Sequence, residues 1–125
     1  CDKQKIDLKD LAGQELLLLE EGHCLRRQAL DVCELAGAHE RVDFHATSME
    51  TLRQMVAANA GVTLMPVLAV KPPIPETGNI CLRPFSHPSP SRTIALVWRS
   101  SSPMGGFLRK LAPSLKVKAA QLLEP

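Results

Sequence analysis

The chain has 125 residues, of which 45% are apolar and 22% are charged, and its formal net charge is +2. This length suits one domain with a modest core, and so small a net charge does not indicate a polyanionic partner for this part of the molecule. No apolar run approaches the roughly 20 residues that cross a bilayer, and the first residues lack a signal-peptide pattern. Four cysteines are too few for a disulfide scaffold, so we expect a reducing, cytoplasmic location.

The first half of the chain alternates strand and helix patterns. In chain order the predicted elements are a strand over 15–20, a helix over 24–36, a strand over 42–46, a helix from a capping box at 47–50 to Gly61, and a strand over 62–65. The first strand is an uninterrupted apolar run, which is typical of a strand covered on both faces. The first helix carries one apolar face and ends at Gly37. Together these elements predict a small α/β layer with right-handed crossovers.

Alternation in the second strand predicts that Val42, Phe44 and Ala46 face the core and that His45 faces solvent.

Beyond residue 70 the pattern changes. Proline-rich connectors are predicted at 71–79 and 86–91, and each is followed by a predicted strand, at 80–85 and 93–98. A last helix is predicted from residue 102 onward. Pro113 is expected to kink or split that helix. One strand and one helix cannot build a core alone, so the C-terminal third needs further packing partners.

Three stretches of sequence together resemble a known family. They are GHCLRRQA at 22–29 with a second cysteine at Cys33, ATSMETLRQMVAANAGVTLMPVLAV at 46–70, and RTIALVWR at 92–99. The chain resembles, from about residue 10 to about residue 111, the regulatory domain of the OxyR-like, hydrogen-peroxide-sensing activators among the LysR-type transcriptional regulators.

The resemblance implies an α/β, periplasmic-binding-protein-like effector domain of two subdomains. Residues 1–91 would be subdomain II with the redox cysteines, and residues 92–125 the C-terminal part of subdomain I. The winged helix-turn-helix and the first part of subdomain I would lie outside this chain. It further implies a homo-oligomer without enzymatic activity, cofactor, metal or membrane contact. DNA and RNA polymerase would be reached through the full-length protein, and a thiol-reducing system such as glutaredoxin would reset it.

The cysteine spacing limits how a disulfide could form. In one helix, nine residues correspond to about 13 to 14 Å along the axis and about 900° of rotation, which places the two thiols on opposite faces. A disulfide needs Cα atoms within about 7 Å of each other. The Cys24–Cys33 disulfide that the resemblance implies would therefore require the helix to melt, which makes it a conformational switch and a labile bond.

Cys24 has the surroundings of a reactive thiol. It opens a helix, where unpaired N–H groups favour an anion, and His23, Arg26 and Arg27 are close in sequence. Its thiolate would attack peroxide, and Cys33 would resolve the sulfenic acid. By resemblance, Arg92 lies near the cysteine pocket. Thr63 is a further candidate for lining the cleft.

Other interpretations remain open at this stage. Cys33 on an apolar face is also a plain core residue, and Arg92 or Thr63 need no functional explanation. His23, Cys24, Cys33 and His39 form a possible metal-binding set, but their spacing lacks the close pairs of zinc sites. A thiol peroxidase is a second alternative. A LysR-type domain that binds a small metabolite, with incidental cysteines, is a third.

Overall fold

The chain divides into two compact units in a computed structural model that describes residues 3–71 and 78–123. The unit Cys1–Arg92 has a 3-10 turn at Leu8–Leu11, followed by strand β1 (Glu15–Leu19), helix α1 (Cys24–Ala36) and strand β2 (His39–Ala46). Helix α2 (Met49–Ala57) and a second 3-10 turn (Val67–Ala69) come next. The unit Thr93–Pro125 contains helix α3, Gly105–Leu123. None of the helices in the described ranges is long and apolar enough to cross a membrane.

Strand β1 is the centre of the first unit and is covered on both faces, as its apolar run predicts. It pairs with β2 in parallel, and α1 is the connection between them. Leu16 and Leu18 pack in one buried cluster with residues of α1, whereas Leu17 and Leu19 pack in a second cluster with Leu52 of α2. The prediction of a small α/β layer is confirmed.

Strand β2 departs from the predicted alternation. It begins at His39, three residues before the predicted start at residue 42. Leu16 is opposite Glu40 and Leu18 is opposite His45, so two steps along β1 match five along β2, and the extra residues bulge out of the ladder. Val42 is 70% exposed and Phe44 is 41% exposed. The prediction that both face the core is therefore wrong, although Ala46 is fully buried as predicted.

The helix starts and the end of α1 follow local sequence signals, whereas α2 ends at Ala57, before its predicted stop at Gly61. Helix α1 starts at Cys24 with His23 as its N-cap, and Gly37 closes it in the left-handed region at φ 68°, as predicted. Helix α2 starts one residue later than its predicted capping box, because Ser48 rather than Thr47 is the N-cap and accepts the N–H of Thr51 at 3.0 Å.

Two predicted strands in the first unit are reduced to single bridges. Val62 bridges Leu16, and Phe85 bridges Ile6. Beside Val62, the hydroxyl of Thr63 donates to the carbonyl of Leu17 at 2.7 Å, so a side chain contacts the ladder where a longer strand would use its backbone. The predicted strands over 62–65 and 80–85 are therefore wrong as continuous elements.

In the second unit, the predicted strand over 93–98 is absent and the last helix is not split. Residues 93–98 form no strand, and Ile94 and Val97 are 69% and 84% exposed, because no described segment of this unit is a strand that could pair with them. Helix α3 continues through Pro113 without being split. Pro113 removes one backbone hydrogen bond, and the turns on both sides retain theirs.

Candidate functional site

Cys24 is an exposed, free thiol at the first position of α1. The His23 side chain makes no capping hydrogen bond, so it does not occupy the N–H groups of the first turn. These groups and the helix dipole favour an anion at this end of the helix. Cys24 is therefore placed at the end of α1 where an anionic side chain can meet unoccupied N–H groups.

The guanidinium of Arg92, from a distant part of the sequence, lies close to the Cys24 thiol. Its Nη2 atom lies 3.9 Å from Cys24 Sγ, although 68 residues separate the two along the chain. The guanidinium is within hydrogen-bonding distance of the sulfur. The structure therefore brings together the predicted nucleophile and one of its predicted activating residues.

Cys33 is in the opposite environment. It is also a free thiol but only 4% exposed, and it packs in the α1 cluster with Leu16, Leu18 and Ala36. Burial raises the pKa of the Cys33 thiol above its ordinary value of 9.0, and the negative charge of Glu40 raises this pKa further. While α1 is docked, Cys33 is therefore a protonated core residue.

An intact helix separates the two thiols. Residues 24 and 33 both lie in α1, so their Cα atoms are about 13 to 14 Å apart along the axis. The exposure of Cys24 and the burial of Cys33 agree with positions on opposite faces. No disulfide between them is possible in this conformation. Cys81, outside this helix, takes part in a disulfide bond.

Arg26 is used differently from the prediction that placed it beside the thiol. Its Nη2 donates to Glu40 Oε2 at 2.8 Å, its Nη1 donates to Glu40 Oε1, and Nη1 also donates to the carbonyl of Leu19 at 2.9 Å. The hydrogen bond to Glu40 is the main cause that raises the pKa of Arg26. Glu40, the partner of Arg26, was missed by sequence reasoning, since 14 residues separate the two and no motif marks the pair.

The remaining predicted residues are placed as follows. His23 and Arg27 are exposed at the start of α1. Thr63 is partly buried and uses its hydroxyl on the Leu17 carbonyl. In residues 3–71 and 78–123, no three His, Cys, Asp or Glu side chains are grouped so that they could hold a metal ion.

The two thiols are expected to differ strongly in alkylation. At pH 8, iodoacetamide should label Cys24 on the order of 100-fold faster than Cys33, because labelling of Cys33 requires α1 to open. The rate for Cys33 should rise with pH as the thiolate fraction of the opened state grows, and it should stay below the rate for Cys24 while α1 is docked. The stability that arises from burying the protonated thiol is complete below pH 9 and is lost as the pH rises through the higher folded-state pKa.

Mass spectrometry of labelled peptides across pH 7 to about pH 10.5 measures both rates, a range that brackets the ordinary thiol pKa. Equal labelling of the two cysteines at pH 8 would contradict the placement of Cys33 in the core.

The chain is similar to a known family of proteins. The family model for the LysR substrate binding domain matches residues 1–116. A hydrogen peroxide-inducible genes activator of Pectobacterium carotovorum subsp. carotovorum is 49% identical over 116 residues, which is 93% of this chain and 38% of that protein. The crystal structure of the reduced form of OxyR has a TM-score of 0.81 at 40% identity, covering 98% of this chain and 56% of that one. The oxidised form has a TM-score of 0.79 at 44% identity, covering 98% and 57%.

These matches confirm the predicted α/β, periplasmic-binding-protein-like fold class. The chain spans about two fifths of the length of the curated relatives that it matches, 38% in the relative described above. The family model alone covers residues 1–116, which is more than nine tenths of the chain. The chain therefore belongs to the LysR substrate-binding domain family.

Proposed function

We propose that this domain is the redox-sensing part of a LysR-type transcriptional activator that responds to hydrogen peroxide. The observation that carries the proposal is the asymmetry of the two free thiols in α1, an exposed Cys24 beside Arg92 and a buried Cys33 on the other face. The relatives named as peroxide-inducible activators, and the solved reduced and oxidised forms of OxyR, support it.

The proposed chemistry has two steps. The Cys24 thiolate attacks hydrogen peroxide, the O–O bond breaks, and the products are a Cys24 sulfenic acid and hydroxide, which takes up a proton to give water. The Cys33 thiol then loses its proton, and its sulfur displaces the hydroxyl of the sulfenic acid. This forms the Cys24–Cys33 bond and a second water. Peroxide is the two-electron oxidant, and a dithiol reductant reverses the change.

The second step changes conformation because the thiols cannot meet across an intact α1. Bond formation removes Cys33 from its apolar cluster and melts helical turns between the cysteines. Reduced and oxidised domains would therefore present different surfaces, which is a two-state element driven by redox chemistry.

The wider assignment rests on the same family. We propose that the domain acts in a cytoplasmic homo-oligomer and is not an enzyme. It would affect DNA and RNA polymerase through the full-length protein. A cellular thiol-reducing system such as glutaredoxin would return it to the dithiol. His23 and Arg27, exposed beside Cys24, would favour its thiolate together with Arg92.

Peroxide treatment followed by mass spectrometry tests the proposal. The wild-type protein should form the Cys24–Cys33 disulfide. Cys24→Ser should abolish the reaction, whereas Cys33→Ser should stop at the Cys24 sulfenic acid, because the resolving thiol is gone. Ala29→Ser is the matched control. Ala29 is 5% exposed and lies in the same cluster as Cys33, so this variant also places a serine hydroxyl in that cluster, but it keeps both thiols.

The outcomes separate this function from the alternatives. Oxidation that leaves Cys24 unchanged, or a disulfide that leaves α1 folded, would overturn the proposal and favour a metabolite-binding domain with incidental cysteines. Sustained consumption of peroxide with a reductase system would favour a thiol peroxidase.

A further inference from the structure

We infer that Arg26 and Glu40 form a latch that holds the start of α1 on the sheet and sets the balance between dithiol and disulfide. The inference rests on the proposed function and adds a positioning pair to it. Arg26 would act on the second step, the formation of the disulfide, rather than directly on the reaction of Cys24 with peroxide.

The geometry of the latch joins three elements. Arg26 lies in the first turn of α1, two residues after Cys24, and its guanidinium contacts both carboxylate oxygens of Glu40 near the start of β2. The same guanidinium donates to the carbonyl of Leu19, the last residue of β1. A planar fork that holds a carboxylate with two hydrogen bonds fixes orientation as well as distance. One side chain therefore ties the reactive end of α1 to both strands.

The latch is partly buried and is shared with one further group. The side chains of Arg26 and Glu40 are each only 15% exposed. His45 Nδ1 lies 3.4 Å from Glu40 Oε1, because the β2 bulge returns to the ladder at His45. A paired charge in such a position is costly to leave alone, so the two partners strongly favour staying together.

Disulfide formation acts on the segment that contains Arg26. This residue lies between Cys24 and Cys33, which must approach from about 13 to 14 Å along the helix axis to within about 7 Å. Melting of the turns between them displaces Arg26 relative to Glu40, which remains on β2. The latch therefore stabilises the helical, reduced state more than the oxidised state.

Peroxide attack on Cys24 should depend much less on the latch. The charge of Arg26 is already balanced by Glu40, whereas Arg92 is the cation in contact with the sulfur. Arg26 and Arg92 therefore have different roles, since one holds the helix and the other contacts the sulfur.

Two variants weaken the latch from opposite sides. Glu40→Gln removes the carboxylate with little change in shape. Arg26→Lys keeps a cation near Cys24 but loses the two-pronged contact. It also keeps the negative charge of Glu40, which acts on the pKa of Cys33. An effect that both variants show is therefore caused by loss of the Arg26–Glu40 contact and not by loss of the Glu40 charge near Cys33.

The measurement is the thiol–disulfide equilibrium constant of the Cys24–Cys33 pair. It is determined against a series of glutathione or dithiothreitol redox buffers. Both variants should shift it about tenfold toward the disulfide, which corresponds to about 30 mV for a two-electron couple. The rate of sulfenic acid formation, measured in a Cys33→Ser background, should stay within about twofold of the parent. Glu50→Gln is the matched control, because Glu50 forms its 4.0 Å ion pair with Arg53 on α2, and it should shift neither quantity.

A merely structural role would give a different result. The variants would then lose equal unfolding free energy in the reduced and oxidised forms, the equilibrium constant would not move, and the inference would be overturned. Should Glu40→Gln fail to fold, Arg26→Lys carries the test by itself. A wild-type protein that forms no Cys24–Cys33 disulfide would instead overturn the proposed function, and this is visible before any variant is made.

Discussion

Peroxide treatment is expected to remove the hydrogen-exchange protection of α1 between the two cysteines. In the reduced protein, the amides of residues 28–34 are bonded within the helix and should exchange slowly. In the disulfide form these turns cannot remain helical, so their protection should fall on the order of 100-fold. Exchange measured by mass spectrometry on peptides spanning 25–36, before and after oxidation, gives the result directly.

Helix α2 is the internal control for this experiment. It packs on the other face of β1, with Leu52 in the cluster that excludes Cys33, so protection over 49–57 should change little. Cys33→Ser treated with peroxide should keep its protection in α1, since no disulfide can lock the open form. Unchanged protection in a wild-type protein with a confirmed disulfide would mean that melting of α1 is not part of the switch.

Local sequence signals were sufficient for α1. Its apolar positions recur on one face, and Gly37 provides the left-handed residue that ends it, so the bounds 24–36 follow from the sequence. The same bounds give the separation of the thiols, because helical rise and rotation are fixed. The separation of the two thiols, on which the proposed switch depends, is therefore predictable from the sequence.

Strand β2 was not predictable in the same way. Alternation assumes that each residue of a strand has one partner, but five steps of β2 match two of β1. Such a bulge depends on which residues find partners elsewhere in the fold, and the hydrogen bond that Arg41 Nη1 donates to the carbonyl of Ala60, 19 residues away, is one interaction that a local pattern does not reveal. The exposure of Val42 follows from this bulge.

The latch shows why site residues are harder to find than elements. Arg26 and Arg27 are adjacent cations and look equivalent in sequence. Only the fold places Glu40 against the first and leaves the second exposed. Arg92 likewise reaches Cys24 across 68 residues, a proximity suggested by family resemblance rather than by any local pattern.

Two neighbouring leucines of β1 should separate global stability from redox balance. Leu18 is 2% exposed and packs in the cluster that contains Cys33, whereas Leu17 is fully buried in the cluster that contains Leu52 of α2. Replacing either with alanine deletes buried carbon atoms and leaves a cavity, at a cost of about 2 to 5 kcal/mol of unfolding free energy in the reduced protein. Denaturant titration should therefore show similar losses for Leu18→Ala and Leu17→Ala.

The disulfide equilibrium should distinguish them, because the buried residues of α1, the element that melts, are in the cluster of Leu18, whereas α1 contributes only the partly buried Leu25 to the cluster of Leu17. Leu18→Ala removes packing that the oxidised state has already lost with α1, so the equilibrium should shift at least about tenfold toward the disulfide, or about 30 mV. Leu17→Ala removes packing that lies mainly against α2 and that both states keep, so its equilibrium constant should shift much less than that of Leu18→Ala. Leu35→Ala, at a position of α1 that is 77% exposed, should change stability by no more than about 0.5 kcal/mol and leave the equilibrium unchanged. Equal shifts for Leu17→Ala and Leu18→Ala would show that oxidation loosens the whole layer, and the account of α1 as a separately melting element would be wrong.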